Sequence, residues 1–130
     1  MKLFDLSGRT AVVVGGTSGI GRTLALGLAE AGADVVASGR RIDLVKDVTA
    51  EIHRMGRRTI PVAADVSDIA SLDRLRDECI EAFGRVDILL AVAGTTKKVP
   101  TLEMDEADWH RVIETNLTGT LRACQVFGRT

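Results

Sequence analysis

A glycine-rich stretch near the start of the chain has the composition of a phosphate-binding turn. Its glycines are spaced Gly-x-x-x-Gly-x-Gly between an apolar run and a helical pattern. Glycine lets the chain turn sharply off a strand and brings backbone amides close to an anion, which the start of a helix attracts. The alternative is a merely flexible turn, but the position between a strand and a helix favours binding. We therefore predict a diphosphate site formed by Gly15, Thr17, Ser18, Gly19, Ile20 and Gly21.

Two adjacent arginines follow the second apolar run, where a dinucleotide-binding fold selects its cofactor. An acidic residue there would bind the ribose 2′-OH and favour NAD, but this chain has Gly39. Arg40 and Arg41 offer guanidinium groups to a 2′-phosphate, and each charge-assisted hydrogen bond contributes about 1.5 to 3 kcal/mol. We therefore predict NADP as the cofactor. NAD is the alternative, in which the arginines only begin a solvated helix.

The elements that must position these residues alternate between strand and helix. Short apolar runs predict strands, and stripes with helical spacing predict helices starting at Ile20, Ile42 and Asp68. Asp105 is predicted to cap a long last helix. The predicted strands are Thr10–Val14, Asp34–Ser38, Thr59–Ala63 and Val86–Val92, and the inward face of the last helix is predicted to hold Trp109, Val112, Ile113, Asn116, Leu117, Leu121 and Cys124.

This alternation predicts an α/β fold with a doubly wound parallel sheet of the Rossmann type. Parallel neighbours joined by right-handed crossovers give the expected strand order 3-2-1-4. No linker or repeat divides residues 1–130, so we expect one dinucleotide-binding domain.

The composition excludes several classes of partner. With 45% hydrophobic residues, 27% charged residues and a net charge of -1, the chain has no basic surface for nucleic acid. The apolar run Ile88–Ala93 is too short to span a membrane, and Asp5 interrupts any secretory signal, so the cytoplasm is the expected location. Cys79 and Cys124 lack neighbours at metal-ligand spacing, so no metal site is expected.

Several segments in matching order resemble the short-chain dehydrogenase/reductase family. The string Val14–Gly21 is similar to the family's TGxxxGxG turn. Asp65 follows the third predicted strand and matches the family's adenine-binding Asp, while Val92-Ala93-Gly94 matches its Asn-Ala-Gly. Asn116 matches an Asn of the catalytic group. The resemblance implies that Asp65, Val66, Ala93 and Gly94 bind the dinucleotide and that Asn116 belongs to the catalytic set.

The family resemblance also implies an activity, namely hydride transfer between a nicotinamide cofactor and an alcohol or carbonyl substrate. The segments Leu3–Gly8 and Ala93–Lys97 most resemble sugar-acid dehydrogenases of the gluconate 5-dehydrogenase type. A small-molecule substrate and a homo-oligomeric full-length form are therefore expected.

The chain departs from the family pattern at three places. Val14 and Val92 stand where the family has Thr and Asn, so two polar ties between strand ends are lost. The family's catalysis uses a Ser and a Tyr-x-x-x-Lys, and this chain contains no Tyr. We therefore expect the N-terminal part of such an enzyme, inactive by itself, with a bare edge at its last strand. The alternative function is a non-catalytic dinucleotide-binding fragment.

Overall fold

A parallel three-stranded sheet lies between two layers of helices in the computed structural model, which describes residues 2–130. The strands are β1 (Thr10–Val14), β2 (Asp34–Ser38) and β3 (Ile88–Ala91). The helices are α1 (Gly19–Glu30), α2 (Ile42–Arg54), α3 (Ile69–Phe83), α4 (Glu106–Ile113) and α5 (Gly119–Phe127). Two 3-10 turns lie at Lys2–Phe4 and Thr101–Glu103. The predicted Rossmann-type α/β fold is confirmed.

The strand β1 lies at the centre of the sheet, in the order β2-β1-β3. Its residues pair in register with Asp34–Ser38 on one side and with Ile88–Ala91 on the other. All five β1 residues are buried, as a strand covered on both faces requires. The β-branched run Thr-Ala-Val-Val-Val suits this position because its side chains alternate between two apolar layers.

The two faces of the sheet carry separate apolar cores. Val12 and Val14 pack with α3 and α5, whereas Ala11 and Val13 pack with α1 and α2. The first core contains Val36, Leu72, Leu75, Cys79, Val126 and Phe127, and the second contains Ala25, Ala29, Val35, Val48 and Ile52. Because the helices cover both faces, the ends of the strands are the places left open to a ligand.

Capping side chains set the starts of two helices. The Asp68 carboxylate accepts a hydrogen bond from the Ala70 amide at 3.1 Å, and Asp105 accepts one from the Asp108 amide at 2.7 Å. The Asp105 cap was predicted from the sequence, and a helix start at Asp68 was predicted as well. Gly84 ends α3 with a left-handed φ of 78°.

No helix in the part of the chain from Lys2 onward combines the length and the apolarity needed to cross a bilayer.

The third predicted strand, Thr59–Ala63, is not formed, which corrects the predicted order 3-2-1-4 to β2-β1-β3. The segment lies beside β2, with the Val35 amide bonded to the Arg58 carbonyl at 3.1 Å and the Ala64 amide to Gly39 at 3.0 Å. Between these two hydrogen bonds, the Ser38 hydroxyl donates a hydrogen bond to the Val62 carbonyl at 2.6 Å. A regular ladder in this register would pair that carbonyl with the Gly39 amide. The side chain of a buried serine thus takes the place of a ladder bond.

The predicted long last helix is interrupted by a π turn over Glu114–Thr118. The wider turn changes the phase of the helix, so one continuous helical period does not describe both halves. The predicted inward face is wrong for most of its residues, since Trp109, Leu117 and Leu121 are 55%, 66% and 55% exposed. Asn116 and Cys124 are exposed as well, whereas Val112 and Ile113 are half-buried. The buried residues of α5 are instead Gly119, Ala123, Val126 and Phe127.

Candidate functional site

An open cleft of about 530 Å³ lies at the carboxyl ends of the strands. All of the predicted site residues line it except Gly19 and Asn116. The lining residues are Val14, Gly15, Thr17, Ser18, Ile20, Gly21, Gly39, Arg40, Arg41, Ala64, Asp65, Val66, Ser67, Val92, Ala93, Gly94, Arg111, Glu114 and Thr115. The fold thus brings residues from five separate segments to one place, at the crevice where open parallel sheets bind ligands.

Two glycines of the turn after β1 allow backbone approaches that no larger residue permits. Gly15 has φ +89°, and a Cβ on it would lie 2.5 Å from the Ala93 nitrogen. A Cβ on Gly21 would lie 1.9 Å from the Gly15 carbonyl oxygen. The turn therefore packs directly against the loop after β3 and against the start of α1, and it holds the helix end at the cleft.

The start of α1 has backbone donors that have no partner among the residues the structure describes. Within residues 2–130, the Ser18 side chain makes no capping hydrogen bond, and the first turn of α1 contains no acidic residue. The first helical bond runs from the Arg22 amide to the Ser18 carbonyl at 3.2 Å, so the amides of Gly19, Ile20 and Gly21 precede the helical ladder. Unlike α3 and α4, which have Asp caps, this helix end presents a partial positive charge to the cleft.

Asp65 places a fixed negative charge on the opposite side of the cleft. Its Oδ1 accepts hydrogen bonds from the Ser67 amide at 2.9 Å and the Ser67 hydroxyl at 2.7 Å. Partial burial acts to raise the pKa of Asp65, but these bonds and the positive charge of Arg40 outweigh it and lower the pKa. The carboxylate is therefore charged near neutral pH, and its Oδ2 makes no hydrogen bond within residues 2–130.

Arg40 and Arg41 lie at the rim of the cleft and are exposed. Neither guanidinium forms an ion pair or a hydrogen bond with any other residue that the structure describes. Most of the other arginines of the chain do have carboxylate partners, as Arg22 does with Glu51. Two free guanidinium groups at the cleft are available to an anion from outside the chain.

Asn116 does not line the cleft but fixes the loop that does. Its Oδ1 accepts a hydrogen bond from the Thr95 amide at 2.7 Å, and its Nδ2 donates to the Thr95 carbonyl at 2.9 Å. The π turn presents this side chain to the loop, and Gly94 lies against it. Asn116 thus ties the residues after β3 to the junction of α4 and α5 through both polar atoms of its amide.

The strand ends that lack the polar ties of the family are joined through the backbone. The Val92 amide donates to the Val14 carbonyl at 2.9 Å, which continues the pairing of β1 and β3 by one residue. The Gly15 and Gly16 amides both donate to the Ser38 carbonyl at 2.9 Å. These bonds hold the three strand ends together beneath the cleft.

Sequence reasoning missed the residues that α4 and the π turn supply. Arg111, Glu114 and Thr115 line the cleft, and their spacing of i, i+3 and i+4 places them on one helical face. That spacing was the available signal, but the predicted inward face was drawn through the neighbouring apolar positions instead. The Arg122 guanidinium bonds the Glu114 carboxylate and donates to the Val66 carbonyl at 3.2 Å.

The cleft, its glycine turn and its helix end can be compared with those of known proteins. The family model of short chain dehydrogenases matches residues 9–130. The chain is 33% identical over 129 residues to the 2-dehydro-3-deoxy-D-gluconate 5-dehydrogenase of Dickeya dadantii, covering 99% of this chain and 50% of that protein. It is 33% identical over 126 residues to the D-threitol dehydrogenase of Mycolicibacterium smegmatis, covering 97% of this chain and 48% of that protein.

A solved structure shows the same arrangement of elements. The short-chain type dehydrogenase/reductase from Mycobacterium marinum matches with a TM-score of 0.94 at 34% identity, over 98% of this chain and 52% of that chain. The chain spans about half the length of the relatives it matches. Because the family model covers nearly all of it, the chain belongs to the short chain dehydrogenase family.

Proposed function

We propose that the cleft binds a nicotinamide dinucleotide, with the diphosphate at the start of α1. The observation that carries this proposal is the uncapped helix end, whose amides precede the helical ladder. Gly15 and Gly21 hold that end at the cleft, because they let the turn pack closely against the backbone around it. Asp65 and Val66 on the far side would bind the adenine, the amino group of which suits the charged carboxylate. Ala93 and Gly94 would bound the ribose on the nicotinamide side.

We propose NADP over NAD because the rim of the cleft is positively charged. Arg40 and Arg41 have no carboxylate partner within residues 2–130, so a 2′-phosphate would not have to displace one. Two charge-assisted hydrogen bonds would favour the phosphate, and even one is worth about 10-fold to 100-fold in affinity.

The proposed reaction is hydride transfer between the cofactor and an alcohol or carbonyl carbon. The bound nicotinamide would supply or accept the hydride, and residues of this chain would bind and orient it. Asn116 would act as a positioning residue through the Thr95 backbone. A sugar-acid substrate is proposed because the relative from Dickeya dadantii is a 2-dehydro-3-deoxy-D-gluconate 5-dehydrogenase. A sugar alcohol is the alternative substrate, because the relative from Mycolicibacterium smegmatis is a D-threitol dehydrogenase.

A second candidate function follows from the composition of these 130 residues. They contain no Tyr, so the Tyr-x-x-x-Lys of the family cannot come from them. On their own they would bind the dinucleotide and transfer no hydride. A dehydrogenase assay with sugar acids tests this second candidate, because turnover by the 130-residue chain alone would contradict it.

Calorimetric titration of the purified chain with NADPH and NADH tests the cofactor proposal. We expect tighter binding of NADPH, and we expect replacement of Arg40 and Arg41 by Ala to lower NADPH affinity about 10-fold or more while NADH affinity changes little. Arg54→Ala is the control, because Arg54 is an exposed arginine outside the cleft lining. Equal affinities that are unchanged in the double variant would contradict NADP selection.

We also propose that a protein containing this chain forms a homo-oligomer. Trp109, Leu117 and Leu121 are exposed apolar residues of α4, the π turn and α5, and such residues are available to a subunit partner. Sedimentation of the chain and of a Leu121→Glu variant tests whether these residues form the interface, since a chain that is monomeric at all concentrations would contradict that role.

A further inference from the structure

Gly39 is a glycine because of the space around it and not because of its backbone conformation. Its φ lies outside the left-handed region that the structure records for Gly15 and Gly19. A Cβ built on Gly39 would lie 2.9 Å from the Thr17 Oγ1 and 3.0 Å from the Thr17 Cγ2. The side chain of Thr17 therefore occupies the place that a side chain at position 39 would need.

Rotation of the Thr17 side chain cannot clear this space. A β-branched residue has two heavy γ atoms distributed over three staggered positions. The two staggered positions that Oγ1 and Cγ2 occupy both lie within about 3 Å of the Cβ site at Gly39. Because only one further position exists, every rotamer keeps at least one γ atom in one of these two positions. The Thr17 Cβ itself lies at 3.5 Å, which is an ordinary contact distance. An alanine at position 17 would thus leave the site open.

The backbone on both sides of this contact is also fixed. The Gly15 and Gly16 amides both donate to the Ser38 carbonyl at 2.9 Å, which joins the turn to the residue next to Gly39. The Gly39 carbonyl accepts the Ala64 amide at 3.0 Å. A Cβ on Gly16 would meet the Val13 carbonyl at 2.9 Å and the Ala37 Cβ at 3.0 Å, so the turn is closely packed where it leaves the sheet. Separation of Thr17 from Gly39 would break these contacts.

From this geometry we propose that Thr17 is a specificity-determining residue that keeps position 39 free of the acidic side chain that would select NAD. The inference rests on the proposed dinucleotide function. To select NAD, the carboxylate of an Asp at position 39 would have to lie where it can accept hydrogen bonds from the ribose hydroxyls. With Thr17 present, the acid is displaced from that place, and cofactor choice stays with Arg40 and Arg41. Positions 17 and 39 therefore act as a pair.

Titration of four chains with NADH and NADPH tests the pair. These are the natural chain, Gly39→Asp, Thr17→Ala/Gly39→Asp and Thr17→Val/Gly39→Asp. We expect Thr17→Ala/Gly39→Asp to bind NADH about 10-fold or more tightly than Gly39→Asp does. Thr17→Val keeps both γ atoms without the hydroxyl, so Thr17→Val/Gly39→Asp should resemble Gly39→Asp. An equal gain of NADH affinity in Gly39→Asp alone, or in the valine variant, would overturn the proposal.

The thermal unfolding of the chain without cofactor gives a second readout that does not depend on binding. We expect Gly39→Ala to lower the midpoint of the natural chain by several degrees and to lower that of Thr17→Ala distinctly less. If Gly39→Ala lowered the midpoint equally in the natural chain and in Thr17→Ala, the proposed contact between Thr17 and position 39 would be overturned. These unfolding measurements test that contact even if the Asp variants do not fold. If the natural chain binds neither cofactor, the proposed function fails, whereas the unfolding cycle still tests the contact by itself.

Discussion

Gly21 lies where the first turn of α1 passes closest to the chain at Gly15. A Cβ on Gly21 would approach the Gly15 carbonyl oxygen to 1.9 Å, and a backbone atom cannot rotate away as a flexible side chain can. The helix can therefore reach the cleft only with a glycine at this position.

Gly27 offers a matched comparison within the same helix, because nothing lies within 4 Å of a Cβ built on it. We expect Gly21→Ala to lower the free energy of unfolding by about 1 to 3 kcal/mol through overpacking. Gly27→Ala should instead raise it by about 0.5 to 1 kcal/mol, because alanine favours helix. Urea denaturation measures both, and a Gly21→Ala variant as stable as the natural chain would contradict the close packing.

Asp87 binds together the amino-terminal ends of β1 and β3, opposite the cleft. It accepts the Thr10 amide at 2.9 Å and is paired with Arg9 and Arg85. The Thr10 hydrogen bond, followed by those from Arg85 and Arg9, lowers the pKa of Asp87 against the opposing effect of burial. The charged carboxylate is thus the form that the fold stabilises.

This lowered pKa predicts a loss of stability in acid. The contribution of Asp87 is fully present above its unfolded pKa of about 3.9 and is lost as the pH falls through the lower folded value. We expect Asp87→Asn to cost about 1.5 kcal/mol near neutral pH, at the lower end for a charged hydrogen bond because both arginines are 55% exposed. Unfolding measured from pH 7 to pH 2 should show the two chains converging below about pH 4. A constant difference across that range would contradict this role.

At the scale of elements, the junction of α4, the π turn and α5 controls the loop after β3. The π turn places Asn116 against Thr95, while Gly119 lies against Val66, where a Cβ would approach the Val66 side chain to 2.5 Å. The same junction therefore contacts loops on both sides of the cleft. A π turn inside a helix is costly in hydrogen-bond geometry and is often found at functional sites.

Removal of the Asn116 side chain should loosen this loop and leave the fold intact. We expect Asn116→Ala to speed hydrogen exchange at the Thr95 amide about 10-fold or more, because the amide loses its acceptor at 2.7 Å. Gln125→Ala is the control, since Gln125 is an exposed residue of α5. Unchanged exchange at Thr95 would show that the bond does not hold the loop.

The strands and helices were predictable where local chemistry decides them. The bounds Thr10–Val14 and Asp34–Ser38 follow from short β-branched runs, and the starts of α3 and α4 follow from Asp caps. The absence of a strand at Thr59–Ala63 was not predictable, because a hydrogen bond from the Ser38 side chain replaces a ladder bond there. The exposure of Leu117 and Leu121 was missed because a π turn cannot be read from helical spacing.

The candidate site was predictable to the extent that its residues lie in contiguous motifs. The glycine turn, the paired arginines and Asp65 each follow a strand or predicted strand, and carboxyl ends of parallel strands meet at one edge. Arg111 and Thr115 reach the cleft only through the tertiary placement of α4 and the π turn, which no local pattern fixes. The contact between Thr17 and Gly39 likewise joins residues 22 positions apart in sequence.

At the scale of the whole molecule, the Asp87 cluster and the candidate binding cleft lie at opposite ends of the sheet. The cluster around Asp87 ties the amino-terminal ends of β1 and β3. The carboxyl ends carry the glycine turn, the first amides of α1 and two arginines, and neither these amides nor the two guanidinium groups have a partner among residues 2–130. Two apolar cores on the faces of the sheet connect these ends rigidly. The proposed anion site is therefore built on a packed scaffold, which favours preorganisation.

A structure of this chain determined with NADPH tests the central claim most directly. We expect diphosphate oxygens within hydrogen-bond distance, about 3 Å, of the Ile20 and Gly21 amides, with the 2′-phosphate beside Arg40 or Arg41. A dinucleotide bound elsewhere, or a diphosphate that makes no contact with the start of α1, would contradict the account.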